Sequence, residues 1–130
     1  MTDATGRRLT TYENQLLERL CAVAQTDAIE YSLQLRLARV IDEHQSGDLR
    51  FMFPDNVAPV PHRAKHSSLL SEGRFVQNGV EATFLLFAKD GYLYYLEKVL
   101  PNPEASIASW EPPIDTITFS TFRPKQSWRN

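Results

Sequence analysis

Two dipeptides, Asn78-Gly79 and Asp90-Gly91, constrain this chain more than any other feature, because each sits between runs of aromatic, aliphatic and β-branched residues. Both suit a two-residue type I′ turn, which needs residues tolerant of positive φ and matches the twist of paired strands. They predict three consecutive antiparallel strands over residues 73–77, 80–88 and 92–100. Such turns also fix the register. An Asp90-Gly91 loop sets Lys89 opposite Tyr92, Phe87 opposite Tyr94 and Leu85 opposite Leu96 on one face. The other face then holds Ala88 with Leu93, Leu86 with Tyr95 and Phe84 with Glu97. Neither face is polar, so both require cover. The plain expectation is that N-terminal helices cover one side and that proline-rich loops or a C-terminal strand cover the other. The sharper one is that part of the area around Phe84, Tyr92 and Tyr95 is a partner-binding surface, because contiguous apolar patches rimmed by charge are unusual on monomers.

Upstream, Thr10-Thr11-Tyr12-Glu13 has the spacing of a capping box, in which hydroxyl and carboxylate satisfy each other's free backbone N–H groups at a helix start. Leu16, Leu17, Leu20, Cys21 and Ala24 follow at helical intervals and form one apolar stripe. Residues 28–37 read as a short helix, since Ile29, Leu33 and Leu37 form a ladder four apart, although Leu33, Leu35 and Leu37 also alternate as in a strand. The runs 39–41 and 49–53 flank a polar turn at 42–48 and read as a hairpin. Pro54, Pro59 and Pro61 make 54–68 irregular. Pro101, Pro103, Pro112 and Pro113 punctuate the stretch after the third strand, and 114–122 reads as a last strand. The fold class expected is therefore α+β, with N-terminal helices packed on an antiparallel β-meander sheet. Residues 1–130 form one domain, with 1–8 and 123–130 as loose termini.

At 130 residues the chain is long enough to bury an apolar core without staples, and 42% hydrophobic with 23% charged residues is ordinary globular usage. Cys21 is the only cysteine, so no intramolecular disulfide forms and a reducing compartment is expected. No stretch approaches the apolar length of a membrane span, and the start lacks the apolar run of a signal peptide, so a cytoplasmic location without membrane contact is expected. The formal net charge of -2 argues against a dedicated nucleic-acid binder. Between Val80 and Thr118, the six acids Glu81, Asp90, Glu97, Glu104, Glu111 and Asp115 face only Lys89 and Lys98. Such a segment is ordinarily a solvated face, and it is also what a chain presents to a basic partner.

No phosphate-binding loop, dinucleotide fingerprint or nucleophile elbow is present in the sequence. His62-Arg63-Ala64-Lys65-His66 is the one cluster able to do acid–base work or ligate a metal. Pro59 and Pro61 disfavour a helix there, basic neighbours repel a cation, and a plain polar loop is the simpler reading. Asp42-Glu43 and Asp48 lack the alternating oxygen ligands of a calcium loop and read as a hairpin turn. Cys21 on its apolar stripe reads as a small buried hydrophobe. Arg123, Lys125, Trp128 and Arg129 mix cations with a ring, as single-strand binders do, but a few terminal residues carry little. Neither a cofactor nor a metal is expected, and the chain is not expected to be an enzyme.

Three stretches also resemble a group of small bacterial proteins. They are Arg8-Leu9-Thr10-x-x-Glu13-x-x-Leu16-Leu17-x-x-Leu20; Ala38-Arg39-Val40-x-Asp42 with Gly47-Asp48-Leu49-Arg50-Phe51; and Phe84-Leu85-Leu86 through Asp90-Gly91 to Leu96-Glu97. That group is similar to the immunity partners of polymorphic or contact-dependent growth inhibition toxins, and the similarity covers most of residues 8–115. Its motifs are structural, and it supplies no binding residues. The resemblance implies a protein that works by binding a cognate toxin C-terminal domain, often a nuclease. The candidate surface is an acidic rim of Asp90, Glu97, Glu104, Glu111 and Asp115, with aromatic anchors among Phe84, Tyr92, Tyr94 and Tyr95. The free protein is expected to be a monomer or homodimer, with no direct contact to nucleic acid. Two rivals stand beside this reading: a homo-oligomeric structural or regulatory module whose apolar face closes a dimer, and a metal-independent nuclease or hydrolase built on His62, Lys65 and His66.

Overall fold

The computed structural model describes residues 6–24, 27–60 and 68–121. In chain order these form β1 (Arg7–Arg8), α1 (Thr11–Ala22), α2 (Ala28–Gln34), β2 (Arg39–Glu43), β3 (Leu49–Met52), β4 (Ser68–Gln77), β5 (Val80–Lys89), β6 (Tyr92–Val99) and β7 (Thr118–Thr121), with short 3-10 turns at Leu35–Leu37 and Ile114–Thr116. The strands make one antiparallel sheet in the order β1-β2-β3-β6-β5-β4-β7, so the fold is α+β with the helices at the N-terminal side of the chain.

Local chemistry explains the elements. Thr10 caps α1 by accepting the Glu13 N–H at 3.1 Å, while the Glu13 carboxylate accepts the Thr10 N–H at 2.9 Å. Leu16, Leu17, Leu20 and Cys21 are the buried side of α1, as the stripe predicts. The 28–37 ladder does fold as helix and 3-10 turn, but Ile29, Leu33 and Leu37 point outward, 74%, 56% and 44% exposed, and Tyr31, Gln34 and Leu35 face the core instead. At both two-residue turns φ is positive, at +51° and +80° for Asn78-Gly79 and +57° and +85° for Asp90-Gly91.

Two ends differ from expectation. Arg7 and Arg8, expected in a loose terminus, pair with Val40 and Arg39 as a strand. Gly6 makes this approach possible, since a Cβ there would lie 2.2 Å from the Val40 carbonyl oxygen. β4 begins at Ser68 rather than residue 73, because a bulge between Leu69 and Ser71 turns Ser71 inward, where its hydroxyl donates to the Leu20 carbonyl at 2.7 Å.

The register of β5 with β6 holds only for the first two pairs, Lys89 with Tyr92 and Ala88 with Leu93. A bulge then shifts it, so that Phe87 faces Tyr95, Leu86 faces Leu96, Leu85 faces Glu97 and Phe84 faces Lys98. The physical reason is burial. Leu93 and Leu96 are three apart and both reach the core, 1% and 0% exposed, which strict alternation forbids and one extra residue allows.

The pairings divide the sheet into two faces. Leu49, Phe51, Phe75, Ala82, Phe84, Leu86, Ala88, Leu93 and Leu96 form the buried face, packed with Leu16, Leu17, Leu20, Tyr31 and Leu35 from the helical side. The segment 101–117 covers this same face. The Trp110 ring meets those of Phe75 and Phe84 at centroid distances of 5.8 and 5.4 Å, and the Tyr12 hydroxyl donates to the Pro112 carbonyl at 2.6 Å. β7 adds to the sheet edge against β4 and covers neither face. The second face carries registered rows of half-exposed to exposed side chains: Asp42, Arg50, Tyr95, Phe87 and Leu69 in one, and Ser120, Glu72, Leu85 and Glu97 in the next.

Candidate functional site

β3 and β6 are neighbours, yet only Leu49 with Leu96 and Arg50 with Tyr95 are in register between them. Beyond Arg50 the strands part, and Phe51–Phe53 faces Leu93 and Tyr94 across an open cleft of about 500 Å³. This volume lies within the ~300–1,000 Å³ usual for ligand pockets. Tyr94, which the β6 bulge leaves without a partner in the β5 ladder, lines this cleft.

Two side chains hold the strands on either side of the gap. At the closed end, the Asp48 carboxylate accepts the Lys98 backbone N–H at 2.7 Å and the Tyr95 hydroxyl at 3.2 Å. Burial and the Asp48 carboxylate together raise the Tyr95 phenol above its ordinary range. At the turn end, the buried Gln34 amide replaces a missing strand. Its Oε1 accepts the Leu93 N–H at 3.0 Å, and its Nε2 donates to the Gly91 carbonyl at 2.9 Å and the Ala58 carbonyl at 3.3 Å. Val60 N–H adds a bond to Gly91 at 2.8 Å. The turn is thus fixed to α2 and to the segment 57–60.

The cleft walls are aromatic and its rim is charged. Phe53 stacks on Tyr92 with centroids 5.5 Å apart, and the Tyr92 hydroxyl donates to the Val57 carbonyl at 2.8 Å. The Lys89 ammonium stands 5.2 Å from the centre of the Tyr94 ring. Asp55 and Asp90 line the same cleft, both exposed, so two carboxylates face one ammonium. These groups suit a cationic or amphipathic guest: ring faces for its stem and carboxylates for its charge.

The chain matches no family profile, no curated protein and no solved structure.

Of the anticipated surface residues, Asp90, Tyr92 and Tyr94 come together at the cleft, and Tyr95 and Glu97 lie on the adjoining open face. Phe84 does not belong with them. It is 0% exposed in the middle of the core, where it touches Phe75 and Trp110, so its role as an anchor is corrected to a core role. Glu104, Glu111 and Asp115 are exposed but belong to the 101–117 segment over the helical face, away from the cleft. Glu111 acts there on Tyr12, whose phenol is pushed up to about 12 by burial first and by that carboxylate second. His62, Lys65 and His66 lie outside the described residues, as do Arg123, Lys125, Trp128 and Arg129. Among the described residues no three His, Cys, Asp or Glu side chains gather to hold a metal, and no helix is long and apolar enough to cross a membrane. Cys21 is buried on α1, and burial pushes its thiol up to about 12.

Sequence reasoning missed Phe53, Asp55 and Lys89 as cleft residues and Gln34 as the clamp. The signal for the cleft was the three-residue spacing of Leu93 and Leu96, which requires a bulge at Tyr94-Tyr95.

Proposed function

We propose that this chain is a cytoplasmic immunity protein that binds a cognate toxin domain, a nuclease, as a one-to-one complex and neutralises it without chemistry of its own. One observation carries the reading. The cleft between β3 and β6 combines Phe53, Tyr92 and Tyr94 with the carboxylates of Asp55 and Asp90 at its rim. Nuclease domains hold a polyanion and are basic, and their Lys and Arg side chains are the guests that ring faces and carboxylates recognise. Tyr is also among the residues that dominate binding energy at interfaces, because it offers rigid contact area with a polar tip. The open sheet face, with Tyr95, Phe87 and Leu85 beside Glu97 and Arg50, extends the surface next to the cleft.

The test is to look for a large open reading frame with a variable C-terminal domain next to this gene and to co-express that domain with the chain. Growth rescue together with a one-to-one complex by light scattering supports the reading; failure to rescue with a folded immunity chain contradicts it. A second reading has its own observation. Ile29 and Leu33 of α2 and Leu37 of the 3-10 turn after it form an exposed apolar stripe, the kind of patch that closes a homodimer. An obligate dimer that Leu33→Asp converts to monomer, without loss of rescue, assigns that stripe to self-association and leaves the cleft for the toxin.

A further inference from the structure

The cleft between β3 and β6 holds a cation of the chain's own. Lys89, the last residue of β5, lines it together with Tyr94, and the Lys89 ammonium stands 5.2 Å from the centre of that ring. This is inside the ~6 Å over which a ring face attracts a cation. Of the other rings that line the cleft, Phe51 is buried in the core, and Phe53 and Tyr92 stack on each other with centroids 5.5 Å apart. The Tyr94 face is therefore the part of the wall that meets charge.

The same ammonium is not held by the acids beside it. Among the described residues Lys89 makes no ion pair, although Asp55 and Asp90 line the cleft with it, and neither carboxylate is paired with a cation. All three side chains are exposed, so water screens them and the hold of the ring on Lys89 is weak. Two anions and one cation leave the cleft one positive charge short of neutrality. A guanidinium suits that gap, because its plane stacks on a ring while its fork bonds a carboxylate. It competes for the Tyr94 face with Lys89, whose flexible stem lets the ammonium withdraw into water. We propose that Lys89 is a built-in occupant of the cleft: its ammonium covers the Tyr94 face in the free chain, and a cationic side chain of the partner displaces it and takes the ring together with Asp55 and Asp90. This inference rests on the cleft being the partner-binding site. Its consequence is discrimination, since a guest gains more than it displaces only when its own cation reaches the carboxylates.

The test needs no toxin. The full chain is titrated at constant ionic strength with N-acetyl-arginine amide and, as control, with the uncharged citrulline analogue, and amide chemical shifts are followed. The expected result is saturable shifts at residues 53–55 and 89–94 with the arginine probe and none with the citrulline probe. Lys89→Gln, checked for an unchanged thermal midpoint, removes the occupant and should tighten arginine binding by about two- to fivefold. Lys89→Arg places another cation within reach of the ring and should not tighten it. Arg36→Gln makes the same change of net charge at an exposed position outside the cleft and should also leave the affinity as it was. The proposal is overturned by unchanged or weaker binding in Lys89→Gln, by equal tightening in Arg36→Gln, or by absence of saturation in both wild type and Lys89→Gln. Growth rescue separates it from the reading beneath it. Failed rescue with tighter arginine binding in Lys89→Gln contradicts the immunity reading and upholds the displaceable cation; successful rescue with no change in Lys89→Gln does the reverse.

Discussion

The side-chain amide of Gln34 accepts the backbone N–H of Leu93 at 3.0 Å and so stands in for a strand at the point where β3 leaves β6. A side chain that is 3% exposed thereby keeps the splayed seam from carrying an orphaned donor. Gln34→Leu preserves much of the volume but strips this partner, and an unmet buried donor costs about 1 to 3 kcal/mol. Urea unfolding with an unchanged slope and an earlier midpoint is the expected outcome.

Gly79 and Gly91 share a positive φ but not a neighbourhood. Nothing approaches the position of a Cβ at Gly79, whereas one at Gly91 would lie 2.6 Å from the Val60 carbonyl oxygen. Gly79→Ala is expected to lose about 1 to 2 kcal/mol, the cost of a left-handed L-residue. Gly91→Ala should lose clearly more, because segment 57–60 must also move. Parallel denaturation of the two variants checks the order.

Glu13 couples α1 to the sheet edge through Arg7. Burial raises its carboxyl, but the Arg7 guanidinium and the Thr10 N–H outweigh this and hold it below the usual carboxylate range. A folded-state value below the unfolded one gives stability that is present above the unfolded value and lost as pH falls through the folded one. The wild type should therefore lose stability on acidification through the carboxylate range, and Glu13→Gln should show a shallower acid limb and a lower plateau at neutral pH.

Cys21 behaves in the opposite sense. Burial raises its thiol from 9.0 to about 12, so its contribution is full below 9 and is lost as pH rises towards 12. Native protein at pH 8 should resist thiol reagents, with labelling that tracks unfolding; fast labelling of the native state would contradict the buried environment.

Phe84→Ala and Tyr94→Ala separate core from surface. The first empties a fully buried site and should cost about 3 to 5 kcal/mol. The second should unfold at nearly the wild-type midpoint while weakening partner binding, with Asp90→Asn, which keeps a residue suited to the positive φ of the turn, acting in the same direction.

Much of this fold was legible in local sequence. The capping box and one apolar stripe specify α1, and Asn78-Gly79 and Asp90-Gly91 specify their turns, because each signal is complete within a few residues. The register beyond Ala88 was not read, since it was counted by strict alternation, while the Leu93 and Leu96 spacing already implied the bulge. Gln34 and Asp48 carried no local mark. Their partners are backbone groups 59 and 50 residues away, and polar residues on a helix or in a turn look solvent-facing until those contacts form. Of the candidate surface, Asp90, Tyr92 and Tyr94 were found because they flank a readable turn, whereas Glu104, Glu111 and Asp115 depend on where a proline-rich segment docks.

Amide hydrogen exchange of the free chain and of its complex with whichever toxin domain it rescues from tests the account most directly. The cleft reading predicts new protection at residues 53–55 and 90–94, with α2 unchanged. Protection confined to the Ile29, Leu33 and Leu37 stripe, with the cleft exchanging as in the free chain, would contradict it.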